Sequence, residues 1–157
     1  MNRMPRPGEP APRFEGITGD GQRVALEDYR GRTLVLYFYP KDDTPGCTRQ
    51  ACSLRDGAAD LAAAGVAVLG VSTQDEASHR AFARKYRLGF PLLADTSGAA
   101  GRAYGVLGGD GFGGWLRARL GWNARVTFVI DGDGTIARVL PRPDVARHAE
   151  EILALLR

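Results

Sequence analysis

Thr33-Leu-Val-Leu-Tyr-Phe-Tyr-Pro40-Lys-Asp-Asp-Thr-Pro-Gly-Cys47-Thr-Arg-Gln-Ala-Cys52 reads as a strand, a loop and the start of a helix. Residues 33–38 form an unbroken apolar and β-branched run, as a strand covered on both faces requires, and so belong in the middle of a sheet. Residues 40–46 hold two prolines, two aspartates and a glycine, which read as a loop. Residues 47–64 have helical composition and stop at Gly65, a natural C-cap residue. Val66-Ala-Val-Leu-Gly-Val71 is a second buried strand, so strand, helix and strand alternate as in a βαβ unit.

Further strands and helices flank this unit. Pro5, Pro7, Pro10 and Pro12 disfavour helix and give an extended lead-in. A short β-hairpin follows, with residues 14–18 and 23–26 on either side of Gly19-Asp20-Gly21. Residues 76–86 read as a helix with Phe82 and Tyr86 on one face. Residues 90–93 read as a short strand and 97–104 as a short helix. Val126-Thr-Phe-Val-Ile130 is a third strong strand, turned by Asp131-Gly-Asp-Gly134 into residues 135–140 as an antiparallel hairpin. Val145, Ala149, Ile152, Leu153 and Leu156 keep helical spacing to the end. The fold class is α/β, a mixed central sheet with helices on both faces and an N-terminal β-hairpin, and residues 1–157 read as a single domain.

At 157 residues with 44% hydrophobic content the chain can fill one core. Its 21 Lys and Arg against 18 Asp and Glu leave a net charge of only +3, spread along the chain, which does not suggest a nucleic-acid protein. No apolar run approaches the roughly 20 residues of a membrane span, and the N-terminus lacks the apolar stretch of a secretory signal. A cytoplasmic location follows. In that reducing compartment two cysteines five positions apart point to catalysis, redox sensing or metal binding before a permanent staple.

The chemistry centres on Cys47, at the junction of a buried strand and a helix where open α/β sheets place their sites. The first turn of a helix offers unpaired N–H groups and the positive dipole end to a thiolate. Thr44 can bring a hydroxyl beside the sulfur, and Pro45 and Gly46 let the chain turn tightly. The plainer reading makes both cysteines small buried residues, but a position behind a Pro-Gly turn serves a core poorly. On a regular helix Cys47 and Cys52 are turned apart by about 500° and separated by about 8.6 Å, beyond the reach of a disulfide. Closing that bond therefore requires the helix to unwind in part.

Other motifs read more weakly. Gly109-Asp-Gly-Phe-Gly-Gly114 matches a dinucleotide pattern but lacks a preceding strand, so residues 105–114 read as a mobile loop. Asp131-Gly-Asp-Gly134 has Ile136 and Arg142 where a calcium loop needs Gly and Glu. His79 and His148 fall among charged residues and read as surface positions. Trp115, Arg117, Arg119 and Trp122 could form a basic aromatic surface, but an amphipathic segment packing its Trp and Leu on the domain is the stronger reading. No cofactor and no metal is expected.

Three motifs in order, Gly8-Glu-Pro-Ala-Pro12-x-Phe14, the run from Phe38 to Cys47 and Arg125-x-Thr-Phe-Val-Ile-Asp131, resemble the peroxiredoxins. A second cysteine five residues after the first resembles their Q-type branch, the bacterioferritin comigratory proteins. The resemblance implies a thioredoxin-like fold and a thiol peroxidase of hydrogen peroxide and organic hydroperoxides. It implies that Cys47 attacks the peroxide and that Cys52 resolves the sulfenic acid as an intramolecular disulfide. Thr44 would bond peroxide and sulfur, Arg125 would hold the thiolate and polarise the peroxide, and Pro40 would shield the sulfur. A thioredoxin or similar dithiol reductant would close the cycle of a monomeric enzyme, without nucleic acid or membrane as partner. Arg125 also suits this role physically, as a permanently charged group with five donors. Residues 105–123 depart from the family pattern. Two other readings stay open, a protein dithiol-disulfide oxidoreductase, which more often uses C-x-x-C, and a non-enzymatic redox sensor.

Overall fold

A computed structural model of the chain describes residues 3–108 and 111–156. Strand β3 (Thr33–Phe38) lies at the centre of a five-stranded sheet of order β5-β4-β3-β6-β7. On one side it pairs in parallel with β4 (Val66–Ser72), Thr33 opposite Val66 and Phe38 opposite Val71. On the other it pairs antiparallel with β6 (Val126–Ile130), Phe38 opposite Val126. The outer strands are β5 (Leu92–Ala94), parallel to β4, and β7 (Ile136–Leu140), antiparallel to β6. The N-terminal hairpin is a separate sheet of β1 (Glu15–Ile17) and β2 (Arg23–Ala25).

The unbroken apolar run of β3 is explained by its two buried faces. Leu34, Leu36 and Phe38 point to a core shared with Phe14, Tyr104 and Phe128, which the N-terminal segment and helix α4 (Ala99–Ala103) cover. Val35, Tyr37 and Tyr39 point the other way. They pack under α1 (Pro45–Asp56), α2 (Ala58–Ala63), α3 (Glu76–Tyr86) and α6 (His148–Leu155). Each such fully buried aliphatic or aromatic side chain contributes about 1.5–3 kcal/mol.

The single helix expected over 47–64 is two helices. It begins earlier, with Thr44 extended at the N-cap (φ −90°, ψ 156°) and Pro45 in the first turn, where no N–H is needed. It breaks at Gly57, where a Cβ would stand 2.3 Å from that of Ala149 on α6. Only a residue without a side chain lets the two helices meet there. The last helix starts at His148 rather than near Val145, because the Asp144 carboxylate accepts from the Ala146 N–H at 3.1 Å and holds a turn first.

Two other expectations are overturned. The glycine-rich segment does not stay a loop: α5 (Gly111–Leu120) starts within it, while Gly109 and Asp110 lie outside the described residues. Nor do the apolar residues of this helix pack on the domain. Phe112, Trp115, Leu116 and Leu120 are 74%, 55%, 40% and 50% exposed, and it is Gly114 that is buried. A glycine lets the helix backbone approach closely, leaving the bulky face outward.

Candidate active site

Cys47 is the third residue of α1 and 1% exposed. The first intrahelical bond runs from the Thr48 N–H to the Thr44 carbonyl at 2.8 Å, so the N–H groups of Gly46 and Cys47 precede the helix ladder and are open to an anion. The helix buries Cys47, Gln50, Ala51 and Leu54, its i, i+3, i+4 and i+7 positions, against β3.

The sheet brings Arg125 to this turn. Because Phe38 pairs with Val126, the residue before β6 falls beside the carboxyl end of β3, where the chain leaves for the Cys47 loop. Arg125 Nη2 donates to the Cys47 sulfur at 3.3 Å, and Nη1 donates to Gln50 Oε1 at 2.7 Å. Gly46 leaves room for this approach, since a Cβ there would lie 3.0 Å from Nη2. The half-buried Arg125 is thus not a solvated surface residue.

Pro40 and Thr44 flank the same loop, both half-buried. The Thr44 hydroxyl gives its hydrogen to the Lys41 carbonyl at 2.8 Å rather than to the sulfur, which leaves its oxygen free to accept. The Pro40 carbonyl accepts from Gln74 Nε2 at 3.4 Å. Cys52 is a free thiol in the same helix, half-buried and off the face that carries Cys47. Beneath the helix the Tyr37 hydroxyl and Gln50 Nε2 are buried without a partner among the described residues. Burial pushes the Tyr37 phenol well above its ordinary range, and a negative charge on Cys47 pushes it further.

Several residues here were not singled out in the sequence. Gln50 anchors the arginine. Asp42, 7% exposed, accepts from the Tyr39 hydroxyl at 2.6 Å and the Ser78 hydroxyl at 2.7 Å, and faces His79 Nδ1 at 2.7 Å. The expectation that both histidines sit on the surface is wrong, for His79 and His148 are fully buried. His79 stands three and seven positions before Phe82 and Tyr86, on the apolar face of α3, and that spacing was the available signal. His148 lies between Thr127 Oγ1 and Glu151 Oε1, each at 2.9 Å, and burial holds its pKa below the ordinary imidazole value. Among the described residues no group of three or more His, Cys, Asp or Glu is placed to hold a metal ion.

A model of the AhpC/TSA family matches residues 7–139. The putative peroxiredoxin bcp of Coxiella burnetii is 41% identical over 150 residues, 95% of this chain and 97% of its own. The chain belongs to the peroxiredoxins. Within them its relatives are of the Bcp and Q kind, and it is a thiol-dependent peroxidase. Solved peroxiredoxins share the fold. Peroxidoxin BcpB of Mycobacterium tuberculosis superposes with a TM-score of 0.84 at 32% identity, over 98% of this chain and 97% of its own. The bacterioferritin comigratory protein of Xanthomonas campestris, described with trapped intermediate and ligand complexes of its alkyl peroxide reduction, gives 0.81 at 31% identity, over 91% and 89%. This peroxiredoxin therefore has the expected thioredoxin-like fold, with Cys47 at the head of α1.

Proposed function

We propose that this peroxiredoxin reduces hydrogen peroxide and organic hydroperoxides with Cys47 as nucleophile and Cys52 as resolving residue. The observation that carries the assignment is the donor contact of Arg125 with a buried sulfur at a helix N-terminus, 3.3 Å long. The Cys47 thiolate attacks one peroxide oxygen. The S–O bond forms as the O–O bond breaks, and the departing oxygen leaves as alcohol or water after taking a proton. Arg125 and the Gly46 and Cys47 N–H groups face the charge that builds on sulfur and oxygens, where fixed donors act most strongly. Thr44 bonds the peroxide through its free lone pairs, and Pro40 keeps water from the sulfur.

Cys52 then attacks the sulfenic sulfur, water leaves, and a Cys47–Cys52 disulfide closes within one chain. A thioredoxin-like dithiol in the cytoplasm reduces it by exchange, and the enzyme works as a monomer. Among the described residues no helix is long and apolar enough to cross a membrane. A coupled assay with thioredoxin, its reductase and NADPH tests the reading. Peroxide-dependent NADPH oxidation that Cys47→Ser abolishes supports it, together with failure to reduce insulin disulfides. Turnover by Cys47→Ser above about a tenth of wild type, a barrier change under about 1.4 kcal/mol, overturns it.

A further inference from the structure

The loop that leads to Cys47 carries two adjacent carboxylates, and α3 reaches both. Ser78 and His79 meet Asp42. Lys85 and Tyr86, seven positions later and so on the same helix face, meet Asp43 at 2.8 and 2.7 Å. The Asp43 contacts are exposed and screened by solvent. Asp42 itself is buried, and its backbone N–H is also engaged, by Gln74 Oε1 at 3.0 Å.

Both ring nitrogens of the fully buried His79 face acceptors. The Leu93 carbonyl, 2.9 Å from Nε2, can only accept, so Nε2 carries a proton. Opposite Nδ1 lies Asp42 Oδ2, and the Tyr39 and Ser78 hydroxyls already direct their hydrogens at this carboxylate. A second proton therefore lies between Nδ1 and Oδ2. Imidazolium against carboxylate and imidazole against carboxylic acid hold the same number of protons, and either pair is neutral overall, as a buried site requires. The peroxide chemistry uses neither proton.

We propose that His79 is a positioning residue for the peroxide step: paired with Asp42, it fixes the loop that carries Pro40 and Thr44, each two positions from Asp42, around Cys47. The proposal rests on the assignment of Cys47 as nucleophile. A loop held from α3 keeps its place while α1 opens and rewinds, because the groups that grip Asp42 lie outside α1.

Without the imidazole, Asp42 keeps two hydroxyl donors but becomes a buried uncompensated charge, which favours taking up a proton. The defect should therefore shrink in acid. The other titratable or charged groups around His79 are few. Tyr39 is held protonated by burial, Arg80 donates through Nε to the Gly19 carbonyl, Asp20 accepts from Thr18, and Asp75 caps the Ser78 N–H.

The test compares His79→Gln, Asp42→Asn and the double variant in the full chain, by stopped-flow measurement of Cys47 oxidation from pH 5.5 to 8. We expect His79→Gln to react at least about tenfold more slowly than wild type at pH 7.5, the scale of a small misplacement of catalytic groups. Its ratio to wild type should rise towards pH 5.5. Adding Asp42→Asn should make that ratio independent of pH. An unchanged rate in folded His79→Gln, or a ratio that stays constant with pH, overturns the proposal. Proton NMR of the unaltered protein is a second measurement that needs no folded variant. It should show two slowly exchanging downfield resonances, one from Nε2 and one between Nδ1 and Asp42. Absence of the second also overturns it. Retained activity in Cys47→Ser would instead strike the underlying assignment, so the two failures are distinct.

Discussion

Arg125 is divided between Cys47 and Gln50: one guanidinium nitrogen donates to the sulfur at 3.3 Å while its twin is tied to the Gln50 amide oxygen at 2.7 Å. Two-point geometry belongs to a planar guanidinium and not to an ammonium. Arg125→Lys should therefore slow Cys47 oxidation by one to two orders of magnitude, less than the roughly two to three orders that outright loss of a fixed donor to a developing oxyanion costs, because charge is kept. Gln50→Leu should slow it less, because the sulfur contact survives without its anchor. An unchanged second-order rate constant in Arg125→Lys would remove the arginine from the mechanism.

Gly46 gives a separate handle on the same contact. A methyl group there would meet Arg125 Nη2 at 3.0 Å, which the flexible end of the side chain can relieve by a small shift. Gly46→Ala should lower the rate of the peroxide step a few-fold, and Gly46→Val more, since the larger group displaces the guanidinium. Both variants should keep their thermal midpoint within a few degrees. Equal loss of stability and rate would locate the effect in the helix start instead.

The roles of the two thiols separate kinetically. Cys52→Ser should react once with peroxide and leave a sulfenic acid on Cys47 that dimedone traps, with further oxidation to sulfinic acid in excess peroxide. Cys47→Ser should give neither product. Mass spectrometry reads both outcomes, and a missing adduct in Cys52→Ser without overoxidation argues against a resolving role.

Oxidation should open α1. Both cysteines belong to one regular helix, Pro45–Asp56, which holds them too far apart to bond. One equivalent of peroxide should yield an intramolecular disulfide, less far-UV helix signal and faster amide exchange from Cys47 to about Leu54. Unchanged protection in the fully oxidised protein would contradict this.

Stability should fall in acid partly through His148. Burial lowers its folded-state pKa beneath the ordinary 6.5. Between the two values the unfolded chain binds the proton and the folded chain does not, so this contribution is whole above pH 6.5 and is lost as pH falls through that window. His148→Gln should flatten the decline in denaturation midpoint below pH 6.5. An identical pH slope in the variant would assign the decline to other groups.

The central strands and the helix start at Cys47 were legible because their signals are local, an apolar run followed by a Pro-Gly turn. Gln50 and the Asp42–His79 pair were not, because they acquire meaning only across the fold: His79 lies 37 positions from its carboxylate. The outward face of α5 escaped for another reason. Helical spacing shows that Phe112, Trp115, Leu116 and Leu120 share a side, but not which side meets the domain. The buried Gly114 decides that, and a glycine carries no hydropathy signal.

The break at Gly57 bears on how fast the enzyme can be reset. Ala149 of α6 abuts Gly57, and the Ala149 N–H donates to Ser53 Oγ at 3.4 Å, so the far end of α1 is moored to a neighbour that the thiol chemistry does not disturb. A helix that keeps its last turn has no nucleus to form, and regrowth proceeds by propagation, on the order of nanoseconds per residue. Once the disulfide is cleaved, Cys47 can be back at the head of its helix long before the next peroxide arrives, so regrowth of the helix does not limit the cycle.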